Sequence, residues 1–173
     1  MLKSARALMA ALGAAAMAAA ALSAAAPALA VPVGPYARVC ASGQAAVVAR
    51  VSGFKAPRGT LSVKLYPSNS RFLEKGAYVR KVEVPVNRTG PIDVCVPVPA
   101  SGRYALSVRH EIGADKSRAD GGGFSGNPKL SLLDVVLKRK PRLEAVTFSV
   151  NGSTRVVPIT LLYLQGASLR PVA

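Results

Sequence analysis

The only histidine of the chain, His110, is the first candidate for chemistry, because any mechanism that uses an imidazole must use it. A Ser-His-Asp hydrolase would draw on Ser125 together with Asp120 or Asp134. However, Ser125 does not lie in the Gly-x-Ser-x-Gly turn that exposes the nucleophile of many hydrolases. A small periplasmic hydrolase that uses His110 is therefore our alternative hypothesis. We favour a histidine that pins the following loop by hydrogen-bonding its backbone or Glu111.

A stretch without periodicity follows this histidine, over residues 111–129, and it is rich in Gly, Asp and Ser. Unpatterned stretches of this length in small domains are usually functional or disordered. We expect this loop to be a contact surface. Its candidate ligand contacts are His110, Glu111, Asp115, Asp120, Phe124, Ser125 and Asn127. The glycines at positions 121, 122, 123 and 126 lack the Gly-Lys-Ser/Thr that completes a phosphate-binding loop, so we predict a flexible turn there.

The densest cluster of positive charge consists of Lys138, Arg139, Lys140 and Arg142. The whole chain has 23 Lys and Arg against eight Asp and Glu, which makes polyanions plausible partners. Binding of single-stranded nucleic acid also needs aromatic side chains among the cations, and the chain has no Trp and only nine Phe and Tyr. We expect no nucleic-acid partner. The cluster is either a solvated loop or a contact for lipopolysaccharide, phospholipid headgroups or acidic polysaccharide.

The chain has two cysteines, Cys40 and Cys95. An isolated pair in an oxidising compartment is expected to form one disulfide. Closing a loop of about 55 residues would stabilise the fold by roughly 4 kcal/mol. The alternative is two separate buried thiols. A catalytic redox pair is not expected, because the Cys-x-x-Cys spacing is absent.

The elements that must position these residues are strands, because period-2 alternation of apolar residues dominates and helical periodicity is almost absent. Strands are predicted at residues 47–51, 59–66, 78–86, 92–98, 103–110, 146–150 and 155–164. Gly, Pro and Asn turns separate them. We therefore predict an all-β fold, an antiparallel β-sandwich of immunoglobulin-like or transthyretin-like type with about seven strands.

Single residues refine this arrangement. Pro97 places the fourth strand near a sheet edge, and Pro158 places the last strand at an edge or a bulge. The pair Asn151-Gly152 predicts a hairpin. The register of the fourth strand puts Cys95 on the face opposite its apolar row, which is a minor conflict with a buried disulfide.

The first thirty residues have the layout of a secretory signal peptide. Two cations precede an Ala-rich apolar run over residues 7–22, and Ala28-Leu29-Ala30 is a small-x-small cleavage site. We expect cleavage after about Ala30, which leaves a single domain over residues 31–173. A transmembrane anchor is the alternative, but the run is only weakly apolar. Val31 replaces the Cys that a lipoprotein needs, so we expect a soluble periplasmic or secreted product without a membrane anchor.

Several segments resemble an uncharacterised bacterial family, the domain of unknown function 2141. Residues 102–110 are similar to its "G-x-Y-A-hydrophobic, then His-acid" strand, and Gly123-Phe124-Ser125 is similar to its next element. Residues 141–148 resemble a later strand of the family, with Leu143 in place of an aromatic residue, and residues 59–66 fit an upstream strand. The resemblance implies an exported bacterial β-sandwich with no established activity. Its family-like core spans about residues 45–165.

Many members of that family follow the histidine with an Asp/Asn/Gly run that is reminiscent of a calcium loop. In this chain Ile112, Lys116 and Arg118 interrupt the alternating oxygen ligands that calcium needs. We therefore expect no metal and no other cofactor. The function that we expect is a non-enzymatic binding or structural accessory module of the cell envelope. Its expected partners are anionic envelope components or another envelope protein.

Overall fold

Two β-sheets make up most of the part of the chain that the computed structural model describes, residues 31–113 and 119–172. The predicted signal peptide over residues 1–30 and the candidate contact Asp115 lie outside the described residues. In chain order the elements are α1 (Ala37–Ala41), β1 (Ala46–Ser52), β2 (Thr60–Pro67), β3 (Arg80–Pro85), β4 (Ile92–Pro97), β5 (Gly102–Glu111), β6 (Gly121–Phe124), α2 (Leu132–Val136), α3 (Leu143–Val146), β7 (Thr147–Val150), β8 (Arg155–Thr160), β9 (Leu162–Gln165) and β10 (Ser168–Arg170).

The smaller sheet has the strand order β4-β1-β8, and the larger sheet has the order β10-β9-β6-β5-β2-β3, with β7 also paired to β5. Every pair in the larger sheet is antiparallel, and so is β1 with β4. One pair differs, because β1 and β8 run parallel from Val47 opposite Arg155 to Ser52 opposite Thr160. The predicted all-β sandwich of antiparallel sheets is confirmed, with this one parallel pair of strands and with ten strands among the described residues instead of about seven.

The main core lies between the two sheets and follows the alternation in the sequence. Each strand turns every second side chain inward, where apolar surface leaves water. The inward rows are Val47, Ala49 and Val51 of β1, Val94 and Val96 of β4, Leu61, Val63 and Leu65 of β2, Val82 and Val84 of β3, and Tyr104, Leu106 and Val108 of β5. His110 is the next inward position of β5 and is fully buried.

A disulfide joins Cys40 to Cys95 on the outer face of the smaller sheet, as predicted, with 5.9 Å between the two Cα atoms. Cys95 does point away from the inward row of β4. The helix α1 covers that outer face, so Cys40, Cys95, Ala46 and Val48 form a second buried cluster. The conflict seen in the sequence disappears because this sheet is buried on both faces at that point.

The last strands of the chain are distributed between the two sheets in a way that the sequence analysis did not predict. The hairpin predicted at Asn151-Gly152 is wrong, because β7 pairs with β5 in the larger sheet while β8 pairs with β1 in the smaller sheet. The strand predicted at residues 155–164 is two strands, β8 and β9, and the chain crosses between the sheets at the fully buried Leu161. Both predicted edge positions are confirmed, since β4 and β8 are the outer strands of the smaller sheet.

The prediction of a flexible turn at the glycines is also wrong. Those at positions 121–123 belong to β6, which lies between β5 and β9 in the larger sheet. Glycine is needed there because of close packing. A Cβ atom on Gly121 would overlap the ring of Tyr163, and one on Gly123 would lie 2.8 Å from the carbonyl oxygen of Thr160. Within the described part of the loop predicted over residues 111–129, Gly121–Phe124 is therefore a strand and a turn follows it.

Candidate functional site

His110 is held by hydrogen bonds at both ring nitrogens. Its Nε2 lies 2.8 Å from the carbonyl oxygen of Arg58, and its Nδ1 lies 2.6 Å from the hydroxyl of Tyr163. A carbonyl oxygen only accepts, so Nε2 carries the proton and Nδ1 accepts from the tyrosine O–H. The Tyr163 oxygen in turn accepts from the backbone N–H of Lys55 at 3.2 Å. The ring of Phe54 packs edge-on against the imidazole, with 5.2 Å between ring centres.

This arrangement ties β5 to β9 and to the segment that precedes β2. The partners predicted for His110, Glu111 and the backbone of the following loop, are wrong. Instead, Glu111 lies 3.5 Å from the Nε of Arg109. Burial raises the pKa of the Tyr163 phenol, the hydrogen bond from Lys55 partly offsets that rise, and the charge of Asp120 adds to it.

Ser125 is buried and bonded to backbone groups. Its hydroxyl accepts a hydrogen bond from the Leu106 N–H at 2.9 Å and donates to the carbonyl oxygen of Val146. The two contacts hold the turn after β6 against β5 and against the last residue of α3. Ser125 makes no hydrogen bond with His110, whose two nitrogens are bonded elsewhere.

The two aspartates of the hypothetical triad are also bonded elsewhere. Asp120 accepts hydrogen bonds from Arg109 at 2.8 Å and from the backbone N–H of Ile112 at 3.1 Å. These bonds link the residue before β6 to β5 and to the residue that follows β5. Asp134 belongs to the capping box of α2 with Ser131. Hydrogen bonds from the Ser131 hydroxyl and backbone lower the pKa of its carboxyl group. The structure therefore does not assemble a Ser-His-Asp triad from these residues.

Two of the predicted contacts, Phe124 and Asn127, lie at an open groove. They line a groove of about 390 Å³. Asn127 is fixed in place, because its side-chain oxygen accepts from the Thr160 N–H at 2.8 Å and its amide donates to the Pro158 carbonyl oxygen at 3.3 Å. The other residues that line this groove are Gly123, Pro128, Lys129, Leu130, Thr160, Leu162 and Leu169.

The basic cluster follows α2 and is exposed at all four residues, Lys138, Arg139, Lys140 and Arg142. A second groove, of about 280 Å³, lies between this segment and the larger sheet, with Phe124 and Leu73 in its wall. Two carboxylates face the cluster. Glu74 lies 3.6 Å from Nζ of Lys140, and Asp134 lies 3.9 Å from Arg139.

The apolar side chains of α2 are the feature that the sequence interpretation missed. Leu133, Val135, Val136 and Leu137 are 65%, 53%, 65% and 55% exposed, and α2 buries none of its residues. The signal was present in the sequence as the apolar run Leu132-Leu133-Asp134-Val135-Val136-Leu137 directly before the basic cluster. A run of this kind normally marks a core element, which hid its exposure.

The described ranges, 31–113 and 119–172, contain neither a candidate metal site nor a candidate membrane-spanning helix. There, no three His, Cys, Asp or Glu side chains come together in a way that could hold a metal ion. None of the helices in these ranges is long and apolar enough to cross a bilayer.

A comparison with protein families gives a match over residues 49–157, well over half of the chain, to the model described as "Uncharacterized protein conserved in bacteria (DUF2141)". The chain belongs to the DUF2141 family. This confirms the resemblance found in the strands around His110. No curated protein and no solved structure matches the chain.

The DUF2141 match begins in β1 and ends in β8. It includes His110, Ser125, α2 and the basic cluster. Cys40 and Tyr163 lie outside the match, on opposite sides of it. The disulfide therefore fastens α1 onto the DUF2141 region from before its start, and the Tyr163 hydroxyl reaches His110 from beyond its end.

Proposed function

We propose that this protein is a non-enzymatic binding module of the bacterial cell envelope, exported to the periplasm or secreted, that contacts anionic envelope components through its basic surface. The observation that carries the proposal is positive charge without nearby carboxylates. Of the nineteen Lys and Arg residues that the structure describes, six lie within 4.0 Å of a carboxylate of another described residue, and the other thirteen lie close to no carboxylate of the described residues. Such a surface attracts polyanions.

Two further observations support the proposal. The disulfide between Cys40 and Cys95 is typical of a protein that matures where thiols oxidise, in agreement with the signal-like first thirty residues. His110 and Ser125 use their polar atoms in bonds that hold strands and turns together, which favours a structural role for both.

Retention on an immobilised anionic polymer tests the binding part. The full chain is expressed in a bacterium, and the product is purified from the periplasm or the medium. We expect retention on immobilised lipopolysaccharide or on an acidic polysaccharide, and elution as salt screens the charges. No retention, or retention that does not respond to salt, would contradict the proposal.

A matched pair of variants locates the contact. Lys138→Gln with Arg142→Gln removes two charges from the basic cluster, and Arg88→Gln with Arg170→Gln removes two exposed charges elsewhere. We expect the first pair to lower the eluting salt concentration more than the second. Equal effects would mean that overall charge, and not this cluster, makes the contact. Recovery of the uncleaved chain with free thiols from the cytosol would contradict export.

A further inference from the structure

We infer that residues 130–142, the α2 segment, dock the protein on the surface of an anionic lipid bilayer. The exposed apolar side chains of α2 would enter the headgroup region while the basic cluster contacts lipid phosphates. The inference rests on the proposed function, because it needs an envelope location and an anionic partner. The inference adds that the anionic partner is a lipid bilayer and that α2 is the element that enters it.

The described part of the chain leaves the apolar side chains of this segment exposed. Leu133, Val136 and Leu137 are spaced three and four residues apart, so they share one side of the helical turn, and each is more than half exposed. Val135 is also exposed and lines the second groove. Single exposed apolar residues are ordinary, but several together mark an interaction site.

The charge of the segment selects an anionic surface. Lys138 and Arg142 have no carboxylate within 4.0 Å among the described residues. Lys129, directly before the α2 segment, has none among them either. The two facing carboxylates do not cancel this charge. Asp134 lies beside Arg139 and Glu74 beside Lys140, so the two carboxylates face two of the four cations and leave a positive excess.

The combination fits a bilayer better than a second protein. Apolar side chains directly followed by Lys and Arg are typical of elements that lie in the lipid interface, where apolar burial and attraction to anionic headgroups act together. A stable protein interface of standard size takes about 800 Å² from each partner. One exposed helical turn with four apolar side chains supplies only part of such an area, whereas shallow insertion needs no more than the turn itself.

A tryptophan reporter tests insertion directly, because the chain has no Trp of its own. Leu133→Trp places the reporter at the tip of α2. Val156→Trp is the control, at an exposed apolar position on an edge strand of the smaller sheet. We expect the emission of Leu133→Trp to shift to shorter wavelength with vesicles that mix phosphatidylglycerol into phosphatidylcholine, and not with phosphatidylcholine alone. The control should not respond to either.

Cosedimentation with the same vesicles separates this inference from the proposed function. We expect Leu133→Ser with Leu137→Ser to lower partitioning into the vesicles about tenfold or more, while salt-dependent retention on the immobilised acidic polysaccharide stays unchanged. Lys138→Gln with Arg142→Gln should weaken vesicle binding by about 25-fold, close to fivefold for each charge. Val156→Ser should match the wild type.

Three results would overturn the inference. Retention on the polysaccharide without vesicle binding would leave the proposed function standing and remove the membrane contact. Vesicle binding that Leu133→Ser with Leu137→Ser does not change would show that α2 does not insert. A dimer that this double variant converts to a monomer, without vesicle binding by the wild type, would assign the apolar turn to a second copy of the chain.

Discussion

The hydrogen-bond chain through Tyr163 can be tested by removing one oxygen atom. Tyr163→Phe keeps the ring that packs over Gly121, so the packing of β6 is preserved. The change deletes the donor to His110 Nδ1 and the acceptor for the Lys55 N–H. The imidazole is fully buried, so no water replaces the lost donor, whereas Lys55 is exposed and its N–H can turn to water.

The expected cost follows from that difference. A buried acceptor left without a partner costs about 1–3 kcal/mol, and the exposed N–H adds little. Switching the imidazole to its other tautomer offers no escape, because Nε2 would then face the Arg58 carbonyl oxygen without a proton. We expect Tyr163→Phe to lower the free energy of unfolding by about 2 kcal/mol, which corresponds to a loss of about 1 M in the urea midpoint.

The same variant carries a pH signature. Burial raises the pKa of Tyr163 above its ordinary value of 10.0. Above that ordinary value the unfolded phenol ionises while the folded one stays neutral, so the wild type loses stability as pH rises toward the pKa of the folded state. Tyr163→Phe cannot lose this contribution. Tyr66, whose pKa burial also raises, is present in both proteins and cancels from the comparison.

Urea unfolding at neutral pH and at several alkaline pH values, followed by circular dichroism, measures both effects. Tyr78→Phe, which removes a hydroxyl from an exposed ring, is the control and should change stability by less than about 0.5 kcal/mol. The reasoning is refuted if Tyr163→Phe is as stable as that control at neutral pH. It is also refuted if the gap between wild type and Tyr163→Phe fails to narrow as the pH rises.

Two further changes test the framework around the site. Replacing Cys40 and Cys95 together by Ser should lower the free energy of unfolding by about 4 kcal/mol, since the bond closes a loop of 55 residues. Urea unfolding under oxidising conditions measures this loss. An unchanged urea midpoint would contradict the prediction. Gly121→Ala should cost about 2 kcal/mol or more because its Cβ overlaps the Tyr163 ring. Gly122→Ala is the matched control, because its Cβ would lie 3.6 Å from the Val108 carbonyl oxygen, an ordinary contact distance. Similar urea midpoints for the two variants would show that β6 is not closely packed.

The alternation of apolar residues made the central strands predictable. Residues 59–66 and 103–110 became β2 and β5 almost without change, and His110 occupies the inward register that the sequence predicts. These strands could be predicted because each buries one face against the opposite sheet, which fixes the period at two. Pairing between distant segments carries no such local signal. The crossing at Leu161 and the parallel pair of β1 with β8 were missed for that reason.

The glycine strand shows a second limit of local patterns. Residues 121–123 have no side chains to alternate, so nothing in their sequence distinguishes a tightly packed strand from a turn. What decides is the neighbour, the ring of Tyr163, which lies about forty residues further along the chain. Gly normally weakens a strand, and it marks a close approach when it occurs inside one. Residues 121–124 of the predicted contact loop therefore belong to the sheet.

That correction moves the candidate surface rather than removing it. His110, Ser125 and Asp120 lost their place on a contact loop because each is bonded within the fold. We propose that the segment between β6 and β7 provides the contact surface instead, since it carries both the exposed apolar turn of α2 and the basic cluster. A protein that keeps several large apolar side chains in water gives up stability that a buried position would provide. Such a cost supports our inference that α2 docks on a lipid surface, where these side chains would be covered.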